Sequence, residues 1–383
     1  MKILFISHTA MGGAFVVGSH HLAREMARQG HDVVHVSSPI TIAHIGFLRS
    51  KFNREKMRRC AIGGEVIDGV RDVVPFSILP WAIARRSGWL RRKLYSPFIY
   101  LRHVLGKRRL NEFDIVFLDE PRLFDLAESC GSRYRVYRPT DLYAEMREDP
   151  SIGQLEGEIA RQGYKVVAMS RPIAKHMEAV GAPAIHLMQN GVEYSLFSAP
   201  AELPVEIELP AGLLAVYVGA LDERFSIESV VKAAKSEPDV SFLIFGPWHS
   251  GIMELANDLP NIIFKGPVSY RHLPALLQRC DIALLPLSSH PSNAGRSPMK
   301  IFEYGAAGLQ VISSFTPELA ARNLPFVLLA EDSDDFASQV GLAICNLKKG
   351  RYSPEIGRAA SATQAWSKKA SQLIDLATSS GGI

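Results

Sequence analysis

The fold of this chain follows from one stretch, Ser297-Pro298-Met299-Lys300-Ile301-Phe302-Glu303-Tyr304-Gly305-Ala306-Ala307-Gly308-Leu309-Gln310-Val311-Ile312. Pro298 favours a helix start, because the first turn of a helix does not need the N–H that proline lacks. Gly308 is typical of a helix end, and the β-branched pair Val311-Ile312 indicates a strand directly after it. The stretch therefore predicts a helix that leads into a strand, the unit from which α/β domains are built.

The first turn of this predicted helix also indicates a binding site. Lys300 and Glu303 are three residues apart, so their side chains lie on one face. The free N–H groups of the helix N-terminus, the helix dipole and Lys300 together attract an anion. Glu303 is placed to accept hydrogen bonds from a pair of sugar hydroxyls, and phosphate beside ribose indicates a nucleoside diphosphate. On this segment alone, an amphipathic helix whose Lys and Glu face water is an equally good interpretation.

Length and composition favour a two-domain enzyme. The chain has 383 residues, more than the roughly 250–300 that one hydrophobic core usually serves. The four cysteines are isolated, which indicates neither a zinc site nor a disulfide framework and fits a reducing compartment. The start, residues 1–7, is predicted to be a strand rather than a signal peptide. No apolar run approaches the ~18 residues that span a bilayer.

Positive charge is concentrated in two segments. Residues 85–109 contain nine Lys or Arg and no acid, with aromatic and aliphatic residues between them, and residues 49–59 contain six Lys or Arg and one Glu. Such a mixture at helical spacing is typical of a helix that lies on an anionic membrane surface. A solvated basic face that covers the core is the alternative. Nucleic acid is not the expected partner, because no DNA- or RNA-binding motif accompanies the charge.

Strands and helices alternate through both halves. In the first half, strands are predicted at 2–7, 32–38, 114–118, 134–138, 165–169 and 184–188, and a helix at 14–29. In the second half, strands are predicted at 214–219, 240–245, 261–265, 282–286, 310–314 and 325–329, and helices at 226–236, 250–257, 271–279, 299–307 and 334–348. Segment 43–110 is long, basic and poorly patterned. The alternation predicts a mostly parallel, doubly wound sheet in each half.

These patterns divide the chain into four parts. Residues 1–197 form the predicted N-terminal, acceptor-binding domain, which faces the membrane. The proline-punctuated stretch 198–212 is the predicted linker, and residues 213–356 form the predicted C-terminal, nucleotide-sugar-binding domain. A last helical pattern within 357–383 can pack back on the first domain.

Four motifs in this layout resemble those of the GT-B glycosyltransferases. They are Asn190-Gly191-Val192-Glu193 with Phe197, Tyr217-Val218-Gly219-Ala220-Leu221, the run from Asn261 to Pro267 with Tyr270 and the later Asp281 to Pro286, and the PxKxxEYxAxG helix at 298–308. They occur in the family's order and spacing and cover most of residues 165–315. The resemblance implies two Rossmann-like domains that face a cleft. It also implies that Gly219, Gly266, Ser297, Met299, Lys300 and Glu303 bind a nucleotide sugar, with a UDP-sugar as the expected donor.

A fifth motif narrows the resemblance. Val136-Tyr137-Arg138-Pro139-Thr140-Asp141 resembles the YRxxD element of the bacterial xanthan-type glucuronosyltransferases, and residues 297–300 are similar to their SSMK. The resemblance implies that Asp141 is the general base of an inverting transfer and that UDP-glucuronate is a candidate donor. A carboxylate at the end of a strand can take the proton of an acceptor hydroxyl. Asp141 can also be the N-cap of a following helix, and both roles can coexist.

One departure from the family pattern bears on mechanism. Retaining GT-B enzymes usually carry two glutamates separated by seven residues, and here the second is Glu303 while the first position is Gly295. The missing carboxylate favours inversion. A retaining GT-B transferase with another donor is the main alternative. A GT-B-shaped UDP-sugar epimerase and an inactive scaffold are alternatives from other classes.

Further candidates are single residues. Gly12 and Gly13 lie at the first strand–helix turn, where glycine lets backbone approach a substrate, and His20 follows on the acceptor side. A plain tight turn and a satisfied buried histidine are the alternatives. Arg224, five residues after Gly219, can meet a diphosphate with its planar fork, unless it is a solvated loop arginine.

No metal or other cofactor is expected. The stretch Asp332-Ser333-Asp334-Asp335 imitates a metal-binding DxD, but it precedes a predicted helix and fits N-capping better. The leaving-group charge would then be borne by Lys300, helix N-termini and Arg224. The resemblance and the charge pattern together predict a cytoplasmic enzyme, peripheral on the inner face of the plasma membrane. It would transfer a sugar from a UDP-sugar to a lipid-linked or polysaccharide acceptor in bacterial surface polysaccharide biosynthesis.

Overall fold

The computed structural model describes residues 1–13, 16–45, 51–248, 250–256 and 258–379. The chain forms two compact units. The first comprises residues 1–189 and the segment from Trp366 onward, and the second comprises residues 190–365. Each unit is a parallel sheet covered by helices, so the predicted α/β class with two Rossmann-like units is confirmed.

The first unit is built on an eight-stranded sheet. Its strands, together with a separate two-stranded pair, are β1 (Lys2–Ile6), β2 (Asp32–Val36), β3 (Ile40–Thr41), β4 (Glu65–Ile67), β5 (Val70–Val73), β6 (Phe76–Ser77), β7 (Phe113–Leu118), β8 (Ser132–Tyr137), β9 (Lys165–Ala168) and β10 (Ile185–Leu187). The order in the large sheet is β10-β9-β8-β7-β1-β2-β5-β4, and β3 pairs with β6. Only the β4–β5 pair is antiparallel within the large sheet. After Lys2, central strand β1 is a continuous buried apolar run, which a strand covered on both faces requires.

Helices connect these strands. They are α1 (Gly18–Arg28), α2 (Ile42–Ile45), α3 (Lys51–Ala61), α4 (Trp81–Ala84), α5 (Gly88–Leu90), α6 (Phe98–Leu105), α7 (Lys107–Leu110), α8 (Phe124–Ser129), α9 (Tyr143–Met146), α10 (Pro150–Arg161) and α11 (Arg171–Ala179). Helix α1 begins at Gly18, later than the predicted start at 14, and residues 14 and 15 lie outside the described residues. Among the described residues, no helix is both long enough and apolar enough to cross a bilayer.

The sequence analysis did not predict strands β4 and β5. They form a hairpin joined by Asp68 and Gly69, whose φ angles are 51° and 81°. Two consecutive positive φ angles are typical of the two-residue turn that joins the strands of a hairpin. Asp-Gly is a strong sequence indicator of this turn. The indicator was missed because the flanking strands are short and only partly apolar.

The second unit is built on a six-stranded, fully parallel sheet. Its strands are β11 (Leu213–Val218), β12 (Val240–Phe245), β13 (Ile262–Gly266), β14 (Ile282–Leu285), β15 (Gln310–Ser314) and β16 (Val327–Ala330). The order is β13-β12-β11-β14-β15-β16. Strands β12 and β13 are added on one side of β11, and strands β14 to β16 on its other side, so the switch point lies between β11 and β14. In such sheets ligands bind at the carboxyl ends of the strands near this switch point.

Helices on both faces cover this sheet. They are α12 (Tyr194–Ser198), α13 (Ile227–Ser236), α14 (Ser250–Glu254), α15 (Leu273–Leu277), α16 (Lys300–Ala307), α17 (Pro317–Arg322), α18 (Ser333–Lys348) and α19 (Pro354–Ala362). Two buried clusters lie on the two sides of the sheet, one containing Val216, Leu243 and Phe302 and the other Phe242 and Phe336. Every predicted strand of this unit has an observed counterpart within two residues, because each is a short apolar run bounded by turn residues.

The second unit begins at Asn190, earlier than the predicted boundary at 197, and it includes the predicted linker 198–212. The Gln278 side chain accepts a hydrogen bond from the Ala201 N–H at 3.1 Å and donates one to the Ala199 carbonyl at 2.7 Å. Leu203 and Ile207 pack against the core of this unit. An irregular stretch can bury apolar side chains without any period, which is why the sequence pattern suggested a free linker.

The last helical pattern, predicted as one segment at 357–378, is two helices in different units. Helix α19 belongs to the second unit, and helix α20 (Trp366–Thr378) belongs to the first. The Trp366 ring stacks on the His21 ring of α1 with centroids 5.1 Å apart. The Lys165 ammonium donates hydrogen bonds to the carbonyls of Leu376 and Ala377 at 3.0 and 3.1 Å. Helix α20 is therefore packed against the first unit as an integral part of it.

Candidate active site

The carboxyl edge of the second sheet brings Gly219 and Lys300 together. Gly219 directly follows β11, and Lys300 is the first residue of α16. The Lys300 Nζ atom lies 5.4 Å from the centre of the Tyr217 ring. A Cβ atom at position 219 would overlap this ammonium group. A side chain at 219 would therefore displace the Lys300 ammonium or the Tyr217 hydroxyl, a reason for glycine that the sequence analysis did not see.

Lys300 and Glu303 are not on a water-facing surface. Glu303 is 5 % exposed, so the alternative of an exposed amphipathic helix is wrong. Burial, with the positive charges of Arg296 and Arg224, lowers the pKa of Lys300 to about 8. Burial raises the pKa of Glu303 to about 7, although Lys300 opposes the shift. Neighbouring titratable groups whose pKa values are both shifted by burial and by nearby charges are typical of functional sites.

Ser297 and Met299 prepare the start of α16. The Ser297 hydroxyl accepts a hydrogen bond from the Asn190 N–H at 3.1 Å, and the Asn190 side-chain amide donates to the Ser297 carbonyl at 2.7 Å. The Asn190 motif thus fastens the loop that precedes the helix. Met299 is the N-cap residue and makes no side-chain capping bond. The Phe302 and Glu303 N–H groups donate to the Met299 carbonyl at 3.0 and 3.2 Å. The N–H groups of Lys300 and Ile301 have no acceptor within the helix itself, so they can serve an anion.

Arg224 and Gly266 lie on loops at the same edge of the sheet. The Arg224 guanidinium forms a two-pronged ion pair with Asp222, with Nε to Oδ1 at 3.0 Å. The pair holds Arg224 within its own loop, close enough to Lys300 to lower the lysine pKa. Gly266 ends β13 with a φ of 73°, which favours glycine. Asp222 and Arg296 were not singled out from the sequence, because only the fold brings them to Lys300.

In the first unit, Asp141 follows the end of β8 and is half-buried. The Thr140 hydroxyl donates a hydrogen bond to its Oδ2 atom at 3.4 Å. The N-cap of the next helix, α9, is Leu142. The alternative role of Asp141 as the N-cap of that helix is therefore not realised.

The other carboxylates at this edge of the first sheet are bound to arginines. Asp119 forms a buried ion pair with Arg138. Glu120 accepts from Arg122 Nε at 2.9 Å and from Arg147 Nη2 at 3.0 Å. Burial raises the pKa of Glu120, but these arginines outweigh it and hold the pKa at about 2. Glu120 is consequently held as a structural anion, and Asp119 is engaged in its ion pair with Arg138.

A histidine that the sequence analysis missed lies near Asp141. His8 directly follows the strand-end residue Ser7 and has a buried Nδ1 atom without a hydrogen-bond partner. Burial lowers its pKa, while the negative charges of Glu120, Asp119 and Asp141 oppose the shift. Its position after β1, at the carboxyl edge of a parallel sheet, is the sequence feature that points to it.

The predicted glycine turn is held by a buried polar network. Gly12 has a φ of 70°. Just before it, the Met11 N–H donates to Asp72 Oδ1 at 3.2 Å, and Arg59 Nη1 donates to the Met11 carbonyl at 2.5 Å. Arg59 and Asp72 are themselves a buried ion pair. The turn Met11–Gly13 is thus rigidly seated, and Ala14, the last residue of the motif, lies outside the described residues.

His20 supports this turn from α1. It is 1 % exposed, its Nε2 lies 2.9 Å from the Thr9 carbonyl oxygen, and its Nδ1 accepts from the Val17 N–H at 3.4 Å. Burial and the neighbouring His35 lower its pKa to about 3. The structure therefore agrees with the alternative of a satisfied histidine that braces the loop.

The aspartate-rich stretch caps a helix. Asp332 Oδ1 accepts hydrogen bonds from the N–H groups of Asp334 at 2.9 Å and Asp335 at 2.8 Å, at the start of α18. In the described part of the chain, no cluster of three or more His, Cys, Asp or Glu has the arrangement of a metal site.

The basic segment 85–109 is only partly a free charged surface. Arg85 pairs with Asp149 at 2.8 Å, Arg91 with Asp125 at 2.7 Å and Arg109 with Asp32 at 2.6 Å. Most of the apolar residues between them pack on the core, among them Tyr95, Leu101 and Leu105. Exposed side chains of this segment include the apolar Trp89 and Ile99 and the cations Arg86, Arg92, Lys93, Arg102 and Lys107.

The other basic segment, 49–59, is engaged within the first unit. Arg58 pairs with Glu55 and Glu65, and Arg59 pairs with Asp72. Residues 49 and 50 lie outside the described residues. This segment therefore presents less free positive charge than its composition suggests.

The order of the second sheet is that of the doubly wound nucleotide-binding fold, and the candidate site lies at its switch point. Residues 213–346 match the family model described as Glycosyl transferases group 1. This match, over most of the second unit, confirms the predicted class of enzyme, a glycosyltransferase. The chain is also similar to TuaH of Bacillus subtilis (strain 168), which carries the name of a teichuronic acid biosynthesis glycosyltransferase. The two are 30% identical over 197 residues, 49% of each chain, so the chain spans about half the length of this curated relative.

Solved structures show the same fold over nearly the whole chain. Sucrose-phosphate synthase from Thermosynechococcus elongatus superposes with a TM-score of 0.73 at 15% identity, covering 97% of this chain and 98% of that one. Anabaena HepE, in complex with UDP and glucose, has a TM-score of 0.65 at 15% identity, covering 98% of each chain. These likenesses confirm the predicted GT-B fold, and at such identity they concern the fold alone.

Proposed function

We propose that this protein transfers a sugar from a UDP-sugar to an acceptor of bacterial surface polysaccharide synthesis. The observation that carries the proposal is the pair of half-buried Lys300 and buried Glu303 at the N-terminus of α16, where the sheet has its switch point. A half-buried ammonium beside helix N–H groups suits a diphosphate, and a buried carboxylate one turn later suits the ribose diol. UDP bound to HepE and the polysaccharide named for TuaH support the donor and the pathway class.

In this proposal the chain itself supplies the charge that stabilises the leaving group. Lys300 and the helix N-terminus face the diphosphate, and Arg224 joins them by exchanging part of its pairing with Asp222 for a phosphate oxygen. Preorganised cations and dipoles stabilise developing negative charge without reorganisation. The transfer accordingly needs no metal ion, and activity should survive EDTA.

Asp141 is the proposed general base. Asp119 and Glu120 are bound to arginines, and Asp141 accepts a long hydrogen bond from the Thr140 hydroxyl at the end of β8. As the acceptor oxygen bonds to the anomeric carbon, its proton passes to Asp141 and the bond to the diphosphate breaks. Gly295 leaves no carboxylate at the family's other position, so inversion is the expected outcome. UDP-glucuronate is the proposed donor.

The acceptor is proposed to be a lipid-linked glycan at the inner face of the plasma membrane. Trp89 and Ile99 are 60% and 78% exposed, and they lie among the exposed cations of segment 85–109. Exposed aromatic and aliphatic side chains surrounded by positive charge are what an anionic lipid surface attracts.

Purified protein, a panel of UDP-sugars and a polyprenyl-diphosphate-linked acceptor test this function. Transfer should occur with Asp141 and fall by about a hundredfold or more in Asp141→Asn, the usual range for a general base. Glu178→Gln, an exposed glutamate of α11 in the same unit, is the matched control and should transfer normally. NMR of the product anomer distinguishes inversion from retention. If Asp141→Asn transfers sugar near the wild-type rate, Asp141 is not the general base. If the product retains the anomeric configuration of the donor, the inverting mechanism is wrong.

A further inference from the structure

One buried amide joins two segments of the second unit near α16. Asn293 ends the short helical turn Pro291–Asn293, which follows β14, and it is 4 % exposed. Its side-chain N–H groups donate to the carbonyls of Arg224 and Ser288 at 3.0 and 2.9 Å. Arg224 lies on the loop between β11 and α13. The Asn293 amide therefore ties that loop to the segment that leads into α16.

The same side chain also contacts a second arginine. Asn293 Oδ1 accepts a hydrogen bond from Arg296 Nη1 at 3.4 Å. Both N–H donors and the oxygen of the amide are thus engaged, so its orientation is fixed from three sides. Arg296 lies in the segment just before α16. One buried amide consequently contacts both Arg224 and Arg296.

The contact with Arg224 fixes its main chain. The Arg224 carbonyl also accepts from the Ser288 N–H at 3.0 Å, and the Ser288 hydroxyl donates to the Glu223 carbonyl at 2.6 Å. The guanidinium is held separately by Asp222, in an ion pair whose side chains are both partly exposed. The guanidinium can therefore turn from Asp222 to another anion while the loop stays in place.

The two arginines and Lys300 concentrate positive charge at the start of α16. Burial lowers the pKa of Lys300, and the charges of Arg296 and Arg224 lower it further. Cations held together at a helix N-terminus repel one another and add to the positive end of the helix dipole. A diphosphate group has the negative charge that relieves this repulsion, and guanidinium groups bind phosphate oxygens with two parallel N–H donors.

We propose that Asn293 is a positioning residue that holds Arg224 and Arg296 for the diphosphate of the donor. In the proposed function, on which this inference rests, Arg224 meets that diphosphate, and Arg296 is added here as a second guanidinium. Without the Asn293 amide, the Arg224 carbonyl loses one of its two donors and Arg296 loses an acceptor that orients it. Both arginines are then less preorganised, so each contributes less to phosphate binding.

Calorimetry with UDP and with uridine, which lacks the diphosphate, tests this positioning role. Asn293→Ala should bind UDP about tenfold more weakly than the wild type, roughly the loss of one charge-assisted hydrogen bond. Its affinity for uridine should stay within about twofold of the wild type, the range expected for independent sites. In a chain that already carries Arg224→Met and Arg296→Met, adding Asn293→Ala should change UDP affinity by less than about twofold, because the groups through which Asn293 acts are gone.

Asn261→Ala is the matched control. The Asn261 side-chain amide also donates to carbonyls, those of Ala234 and Val240 at 3.0 and 3.1 Å. Asn261 precedes β13, however, and so lies at the opposite edge of the sheet from α16. Its replacement should lower the free energy of unfolding of the second unit and leave the affinities for UDP and uridine at the wild-type values.

Three results would overturn the inference and leave the proposed function intact. Asn293→Ala could bind UDP as tightly as the wild type, or it could lose affinity for UDP and uridine equally, as expected if Asn293 only maintains the fold. The tenfold loss of UDP affinity could also persist in the chain without the two arginines. A folded wild type that binds neither UDP nor uridine would instead overturn the proposed donor, and the inference with it.

Discussion

Replacing Lys300 by methionine should stabilise the ligand-free protein while removing most of its affinity for UDP. Methionine keeps the unbranched stem, and the ammonium group is lost. Burial, Arg296 and Arg224 lower the pKa of Lys300 from 10.5 to about 8. One pKa unit corresponds to about 1.4 kcal/mol, so the charge costs on the order of 3 kcal/mol at neutral pH relative to the unfolded chain. Because Glu303 loses a favourable partner, we expect a net gain of about 1–3 kcal/mol in the free energy of unfolding.

The pH dependence gives the same effect a second signature. The folded wild type releases the Lys300 proton near pH 8, while the unfolded chain keeps it up to about 10.5. Between these values the unfolded state binds more protons, so the free energy of unfolding of the wild type rises with pH. The methionine variant should lack this rise, because it has no group that titrates there.

Hydrogen exchange of strands β11 and β15 reports the second unit alone and provides the assay. UDP at a hundredfold excess over its dissociation constant stabilises a protein by about 2.7 kcal/mol. The wild type should show this protection and Lys300→Met should not. Lys235→Met, at an exposed lysine of α13, should change stability by no more than about 0.5 kcal/mol. A Lys300→Met protein that is less stable than the wild type without ligand, or equally protected by UDP, would refute the buried-cation reasoning.

Three more predictions concern the same two units. In Gly219→Ala the new methyl group would overlap the Lys300 ammonium, so UDP affinity should fall at least tenfold in calorimetry, about 1.4 kcal/mol, while an unchanged affinity would contradict the packing. UDP affinity of the wild type should be highest between about pH 7 and about pH 8. Binding needs ionised Glu303, whose charge is lost as pH falls through 7, and charged Lys300, whose charge is lost as pH rises through 8. A flat profile would show that neither group contacts the ligand. The double variant Trp89→Ser with Ile99→Ser should sediment less with anionic vesicles than the wild type and bind UDP equally well, and unchanged sedimentation would exclude this surface as a membrane contact.

Local rules predicted most of the second unit. Pro298 and Gly308 delimit α16 closely, and the apolar runs give all six strands, because these elements are determined by residues near in sequence. The failures have a common cause in tertiary packing. The irregular segment 198–212 looked free because nothing local shows that Leu203 packs on a core. The break between α19 and α20 was invisible because both helices have apolar faces, and only the fold assigns them to different units.

The site was predictable to a similar degree. The spacing of Lys300 and Glu303 predicted a shared face, and in the structure Glu303 is buried and Lys300 half-buried. The ion pair of Asp222 with Arg224 could not be predicted, since it depends on how a loop folds. His20 shows the opposite case: its residue type suggested a ligand contact, and its two ring nitrogens are engaged by backbone groups of its own loop.

The return of helix α20 to the first unit affects the order in which the protein can be completed during synthesis. The second unit is one continuous segment, whereas the first needs residues that the ribosome adds only after position 365. The usual order, in which N-terminal domains finish folding first, is thus reversed here. Until α20 emerges, the surface of α1 that receives Trp366 is uncovered. A nascent chain cut short before Trp366 would therefore contain a complete second unit and a first unit with an exposed apolar face, a substrate for chaperones and proteases.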